Sequence, residues 1–355
     1  MTHRNSKRVR TPLKIASVLA LAVLASACGR PGPAAGINEQ NDVFVSLVPK
    51  SFSTRNAVVP TGDSLADCEK ALEVAACETD ATTNEISDDF SRVACSNNSK
   101  SYVPALLKIA TEMPERLRPM FCGVERIFIS DRITSTAFAS PIIDDGGTYR
   151  GGFIGARKST FLQTPSIHEL ATWKEQLAFG GSSEFLKLDP KLVQIDYGLK
   201  LDVLDRDGLF YVLVHELGHL VDYKNGVNAD CANARCRPSN GSFAAMSWKS
   251  ATQPIVSLAF FLRDSFCYYG CTHPIDPSQM GAIYRSLVKS AFVTTYSGQN
   301  VHEDFAEFFA WSIMSREKSA HMTYTIPGEG VFDMAPAFEA NPVIRKKLDR
   351  AGTYL

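Results

Sequence analysis

Two histidines four residues apart, His215 and His219, flank Glu216 inside an apolar run without proline, DGLFYVLVHELGHLVDY at residues 207–223. Leu209, Phe210, Val212, Leu213 and Val214 lead in, and Leu220 and Val221 follow, so the pattern predicts a helix buried beneath a polar site. On a helix, residues four apart stand one above the other, and the two imidazoles can aim at one point. A zinc ion takes such a pair from a single element. The carboxylate at the next position is turned about 100° round the helix, where it reaches a water beside the metal without ligating it. The chemistry implied is hydrolysis, with Glu216 as general base.

Histidine is scarce, seven in 355 residues, which makes the pattern a specific signal. The plain alternative is a core helix with polar residues tucked against a partner. A second stretch, His168-Glu169-Leu170-Ala171-Thr172, starts the same way but has Thr172 in place of the second histidine, and it is set aside.

A zinc hydrolase needs a third protein ligand and an open fourth position. Residues 296–311, YSGQNVHEDFAEFFAW, turn helical in pattern near Val301, with Phe305, Phe308 and Phe309 on one face. Glu303 and Glu307, four apart, lie beside that apolar stripe, and two carboxylates there are costly to bury unless something cationic meets them. Zinc can meet Glu303, and the N–H of a ligating histidine can meet Glu307, which fixes its tautomer. The alternative is an ordinary solvated acidic face. His302 points about 100° away from Glu303 and is the next candidate ligand, while His273 and His321 read as surface residues.

HELGHLVD followed by Tyr296, six residues, and then Glu303-Asp304-Phe305-Ala306-Glu307 resembles the catalytic domain of zinc peptidases of the anthrax lethal factor type, which are glutamate-zincins (gluzincins). The resemblance implies an α+β, zincin-like peptidase domain: a small mixed sheet, an HExxH helix and a second ligand-bearing helix. It implies one Zn2+ held by His215, His219 and Glu303, with Glu216 as base and Glu307 as the carboxylate behind a ligand. It further implies Tyr296 as the phenol that donates to an oxyanion, and for Asp222 a contact behind the ligands or at the helix end. The substrate implied is a protein or peptide, and the strand at residues 152–162 would be the sheet edge that pairs with it. The match is strong at residues 207–223 and 296–311 and weak at 151–187. His219 and Glu303 are 84 residues apart, so an insertion separates the motifs, at about 225–295.

The N-terminus sets the compartment. Five basic residues and no acidic one precede a 13-residue apolar run at 15–27, too short to span a bilayer but suited to a signal peptide. Leu24-Ala25-Ser26-Ala27-Cys28-Gly29 resembles a bacterial lipobox, which implies cleavage before Cys28 and its acylation as a membrane anchor. Simple secretion is the alternative. Gly29, rather than aspartate, resembles the signal for the outer membrane of the cell envelope. Eight cysteines remain: Cys68, Cys77, Cys95 and Cys122 before the peptidase region, and Cys231, Cys236, Cys267 and Cys271 within the insertion. An even number after export reads as disulfides paired within each group, with three connectivities open in each; a structural zinc is the alternative for the second group.

Removing the five leader cations from 37 basic residues leaves 32 against 38 acidic, a net −6, with no basic stripe, so nucleic acid is not an expected partner. The chain then divides into a leader (1–27), a tether (28–60, Pro/Gly-rich at 29–40), a disulfide-rich helical cap (61–124) and the peptidase region (125–355). Helices are expected at 64–76, 103–118 and 341–351, a polar loop at 78–91, and strands at 125–130 and 152–162. The alternatives to a metallopeptidase are a non-catalytic lipoprotein that keeps the zinc fold, and a zinc amidase acting on cell-wall peptides.

Overall fold

The two strands expected from the sequence lie side by side at the centre of one mixed sheet. The computed structural model describes residues 46–47, 64–144, 147–199, 207–231, 236–270, 272–317 and 320–355, all within the compact unit Ala35–Leu355. The leader, Cys28, nearly all of the tether and Cys271 lie outside the described residues.

After β1 (Ser46–Leu47), helix α1 (Leu65–Ala75) starts at Ser64, whose hydroxyl accepts from the Asp67 N–H, and it runs directly into β2 (Ala76–Glu78). The expected polar loop at 78–91 holds a helix, α2 (Thr83–Asp89). Thr82 and Glu85 form a reciprocal cap there, and Ile86 is fully buried, so one anchor and a good cap outweigh an otherwise polar composition. The helix expected over 103–118 is split. α3 (Val103–Glu112) ends where Met113 turns extended, because the ring of Pro114 disfavours helical geometry in the residue before it; α4 (Arg118–Cys122) follows.

Strands β3 (Arg126–Ser130), β4 (Ala137–Ile143) and β5 (Tyr149–Arg157) complete a five-stranded sheet ordered β1-β4-β5-β3-β2, antiparallel only between β4 and β5. β5 stops at Arg157, and the next residues form α5 (Lys158–Gln163), so the strand expected at 152–162 is too long. It is also an interior strand, flanked by β3 and β4, and cannot be the edge that receives a substrate. Alternation sorts its residues. Ile127, Ile129 and Ile154 enter the main core, while Phe128 and Phe153 pack with Phe90 and Phe138 on the other face.

Helix α6 (Ile167–Leu177) is capped by Ser166 and Glu169, and β6 (Gln194–Asp196) follows it. The motif helix, α7 (Asp207–Asn225), packs on the sheet at Gly152, where a Cβ would come within 2.4 Å of Leu220 Cδ2. Between α7 and α9 (Val301–Glu317) the insertion contributes short 3-10 turns and α8 (Met280–Leu287). Its aromatic residues join the main core. Phe243 packs edge-on against Phe305 of α9 at 5.2 Å, and Trp248 against Phe292 at 5.3 Å. β7 (Thr323–Ile326) and β8 (Gly330–Asp333) form a small antiparallel sheet with β6. The chain closes with α10 (Ala335–Ala340) and α11 (Pro342–Gly352), the latter started by Asn341 as expected. The architecture is α+β, as expected.

Three disulfides, Cys68–Cys122, Cys77–Cys95 and Cys231–Cys236, pair cysteines within the two expected groups. Cys267 is also disulfide-bonded.

The closing helix is anchored by a charge pair. Lys347 of α11 is fully buried, donates to Asp304 of α9 and to the Ala291 carbonyl, and faces the rings of Phe292 and Phe308. Asp304 also accepts from the Trp248 indole at 2.7 Å; burial pushes its carboxyl up to about 6 despite the pull of Lys347. Removing one member strands the other charge in the core. Lys347→Met is therefore expected to lower unfolding free energy by about 3–5 kcal/mol. Denaturant titration measures this, and a loss below roughly 1 kcal/mol, the scale of an exposed pair, would show that the pair does not anchor the helix.

Candidate metal centre

His215, Glu216 and His219 project from the buried middle of α7, each less than 10% exposed. Glu303 and Glu307 face them from the first two turns of α9. The helices meet closely because Gly218 carries no side chain: a Cβ there would lie 3.1 Å from Ala306 Cα and from the Phe309 ring. Within the motif, the glycine between the last motif leucine and His219 therefore sets the spacing of the site.

Glu303 Oε2 lies 3.1 Å from His215 Nε2 and 3.4 Å from His219 Nε2, and the ligating atoms of all three residues fall within 4.8 Å of one another. The group can hold a metal ion. The opposite face of the His215 ring is fixed by Glu307, whose Oε1 lies 3.0 Å from Nδ1. The second Glu307 oxygen accepts from the Tyr211 hydroxyl at 2.9 Å and the Thr294 hydroxyl at 2.8 Å. Glu307 thus orients the imidazole so that Nε2 faces Glu303. Burial works against a charged His215, but Glu303 and Glu307 outweigh it and hold the ring up to about 10, so an arriving metal ion displaces a proton. Burial likewise opposes the Glu303 charge, yet His219 and His215 hold that carboxyl well below the usual carboxylate range.

Glu216 lines the cleft beside this group. Burial pushes its carboxyl up against the pull of His215 and His219, and its Oε2 is buried with no hydrogen-bond partner. A buried carboxylate oxygen without a protein partner is what a site for a polar ligand leaves behind. The cleft, about 160 Å³, is also lined by Ala137, Phe138 and Ala139 of β4 and by Tyr296. β4, not β5, is the strand beside the site.

Tyr296 sits in a 3-10 turn, Tyr296–Gly298, just before α9, with its ring 6.0 Å from that of His215. Burial and then Glu303 push its phenol well up, so it remains a hydrogen-bond donor. The turn is held by a buried network that the sequence did not reveal. Thr295 donates to Glu175 of α6 at 2.6 Å, Tyr284 donates to the same carboxylate, and Tyr268 donates to Thr295. Lys174, next to Glu175, places its ammonium 3.0 Å from the centre of the Tyr296 ring.

The remaining candidates lie elsewhere. Asp222 makes its contacts at the end of α7: it accepts from the Asn228 N–H at 2.8 Å and pairs with His302 Nδ1 at 2.7 Å. The other His302 nitrogen lies 3.3 Å from the Cys231 carbonyl, so both ring nitrogens are taken and neither is free for a metal. His168 and Thr172, the discarded pattern, hold the β6 region instead, through bonds to Tyr197 N and Ile195 N. His273 is exposed, and His321 pairs with Asp333. Tyr211, four residues before His215, shares its face and was open to discovery by spacing; Thr294, Lys174 and Glu175 were not.

No protein-family model matches the chain, and neither a curated protein nor a solved structure matches it.

Two outcomes follow from this geometry. Glu303→Ala is expected to reduce metal affinity far more than His302→Ala, with Glu307→Ala weakening it by about 10–100-fold. Competition with a chelator reads this, and wild-type affinity in Glu303→Ala would take that carboxylate out of the ligand set. The other concerns Glu175, whose carboxyl burial raises to about 7 from the 4.5 of the free group. Its contribution to stability is complete below the unfolded value and is lost as pH rises through about 7. Replacing it by neutral glutamine removes that loss. The stability of Glu175→Gln relative to wild type should therefore rise by about 3 kcal/mol between acidic and alkaline pH. A difference that stays flat across pH would mean the carboxyl titrates normally.

Proposed function

We propose that the protein is a zinc metallopeptidase of the glutamate-zincin type, with a zincin-like peptidase domain. The observation that carries this reading is the buried, unpartnered oxygen of Glu216 beside the His215, His219 and Glu303 group. A noncatalytic zinc module has no use for such a carboxylate, whose burial without a partner is costly. Two imidazoles and one carboxylate are a donor set that suits zinc, and all three residues line the cleft.

A zinc ion held there supplies a Lewis acid that lowers the pKa of water and polarises a carbonyl. The protein's own groups do the rest. Glu216 takes the proton of the attacking water and returns it to the leaving amine. Tyr296, at the cleft wall, donates to the oxygen that gains charge as the carbonyl becomes tetrahedral. Glu307 keeps the His215 ring in register through both steps. β1 pairs with β4 only at Ile142 and Ile143, so an extended peptide fits beside the Ala137–Ala139 end of β4, which lines the cleft.

We further propose that the enzyme is exported and anchored through acylated Cys28. Three disulfides among the described residues accord with an oxidising compartment. Mass spectrometry of the mature protein should find diacylated Cys28 at its N-terminus, and any other N-terminus overturns the anchor. For the chemistry, Glu216→Gln should keep zinc and fold yet lose peptide cleavage, since an amide cannot accept the proton. Tyr296→Phe should lower kcat by about 10²–10³ with little change in zinc content or KM. Cleavage at the wild-type rate by either variant rules out the role given to that residue.

A further inference from the structure

A second, smaller cavity of about 50 Å³ adjoins the cleft, and His215, Glu216 and Tyr296 line both. The volume is about a third of the roughly 150 Å³ of a benzene-binding cavity, so it suits a short side chain rather than an aromatic one. Its walls include Leu170, Ala171 and Ile195, and the polar groups among them decide its chemistry. Lys174 brings an ammonium whose contact is the face of the Tyr296 ring; no carboxylate among the described residues lies within ion-pair distance of it. Tyr324 is fully buried, and its hydroxyl has no hydrogen-bond partner. Glu175, Glu216 and Glu307 also line the cavity; Glu175 accepts from Tyr284 and Thr295, and Glu307 accepts from Tyr211 and Thr294 and pairs with His215, while Glu216 faces the metal group.

The Lys174 ammonium, which attracts Glu307, Glu216 and Glu175 but hydrogen-bonds to none of them, and the buried Tyr324 hydroxyl are both donors without an acceptor in contact. A basic side chain entering the cavity would meet like charge, and an apolar one would leave the Tyr324 hydroxyl unsatisfied. We propose that this cavity is a carboxylate subsite, read by Lys174 with the Tyr324 hydroxyl as second donor. On the metallopeptidase reading, on which the substrate assignment rests, the carboxylate is either the side chain of an aspartate next to the scissile bond or the terminus of a short peptide. The shape and donor set are the same for both. Lys174 is then a specificity-determining residue.

The test uses the zinc-loaded full chain with peptide pairs that differ only in aspartate or asparagine beside the scissile bond, each with a free or amidated C-terminus. The ratio of kcat/KM for acid over amide is expected to be about tenfold or more, because a site built to bond a polar group rejects a partner that leaves its donors unpaired. Lys174→Met should bring that ratio near one, and Lys174→Arg should restore most of it. If amidating the C-terminus, and not the asparagine exchange, removes the preference, the carboxylate is the chain end. A ratio near one in both arms for wild type, or one unchanged in Lys174→Met, overturns the subsite. If wild type cleaves none of the peptides, the peptidase reading has failed, and calorimetry with N-acetyl-aspartate decides the cavity alone. Binding that Lys174→Met weakens tenfold supports it, and no binding overturns it.

Discussion

Everything at the candidate centre depends on how closely α7 and α9 approach. A histidine pair on one helix and a glutamate pair on the other reach each other only if the backbones meet, and Gly218 against Ala306 makes that contact. Gly152 does the same between α7 and the sheet, at Leu220. The motif helix is thus held on two sides by positions where a side chain has no room. Packing density leaves it little freedom to shift.

Burying so many charges in one place is tolerated because they are paired in layers. Glu307 meets His215 and two hydroxyls, Asp304 meets Lys347 and the Trp248 indole, and Asp222 meets His302 and Asn228. All three acids sit on α7 or α9, and each ties one of those helices to another part of the chain. Asp304 and Glu307 each also have a buried oxygen without a hydrogen bond, but both are bonded through the other oxygen; Glu216 is the exception, with no side-chain hydrogen bond among the described residues. A carboxylate that the surrounding structure does not use is the strongest structural argument for chemistry at this place.

Much of the site was legible because its geometry is local. Spacing of four puts His215 with His219 and Glu303 with Glu307 whatever else the chain does, and the Glu307 contact to a histidine N–H follows from the cost of leaving a carboxylate alone. The turn network was not legible, since Glu175, Tyr268, Tyr284 and Thr295 come from four separate segments. Some local readings also missed. The polar stretch 78–91 hid α2, whose single buried anchor, Ile86, is too little to show as a periodic pattern. Strand β5 was placed by its glycines and apolar run, but nothing along the chain says which neighbours flank it.

The sequence alone determined the motif helix, the residue pairs on each helix and the grouping of the cysteines, because each follows from spacing within a short segment; the α+β class was what the resemblance implied. Tertiary structure decided which strand lines the cleft, which nitrogen of each histidine faces the glutamate, and that His302 turns to Asp222 rather than to the metal group. It also brought Lys174 over Tyr296 and left the Tyr324 hydroxyl without a hydrogen-bond partner. Contacts between distant segments depend on how the helices cross and on which atoms are already taken, and neither is written in local spacing.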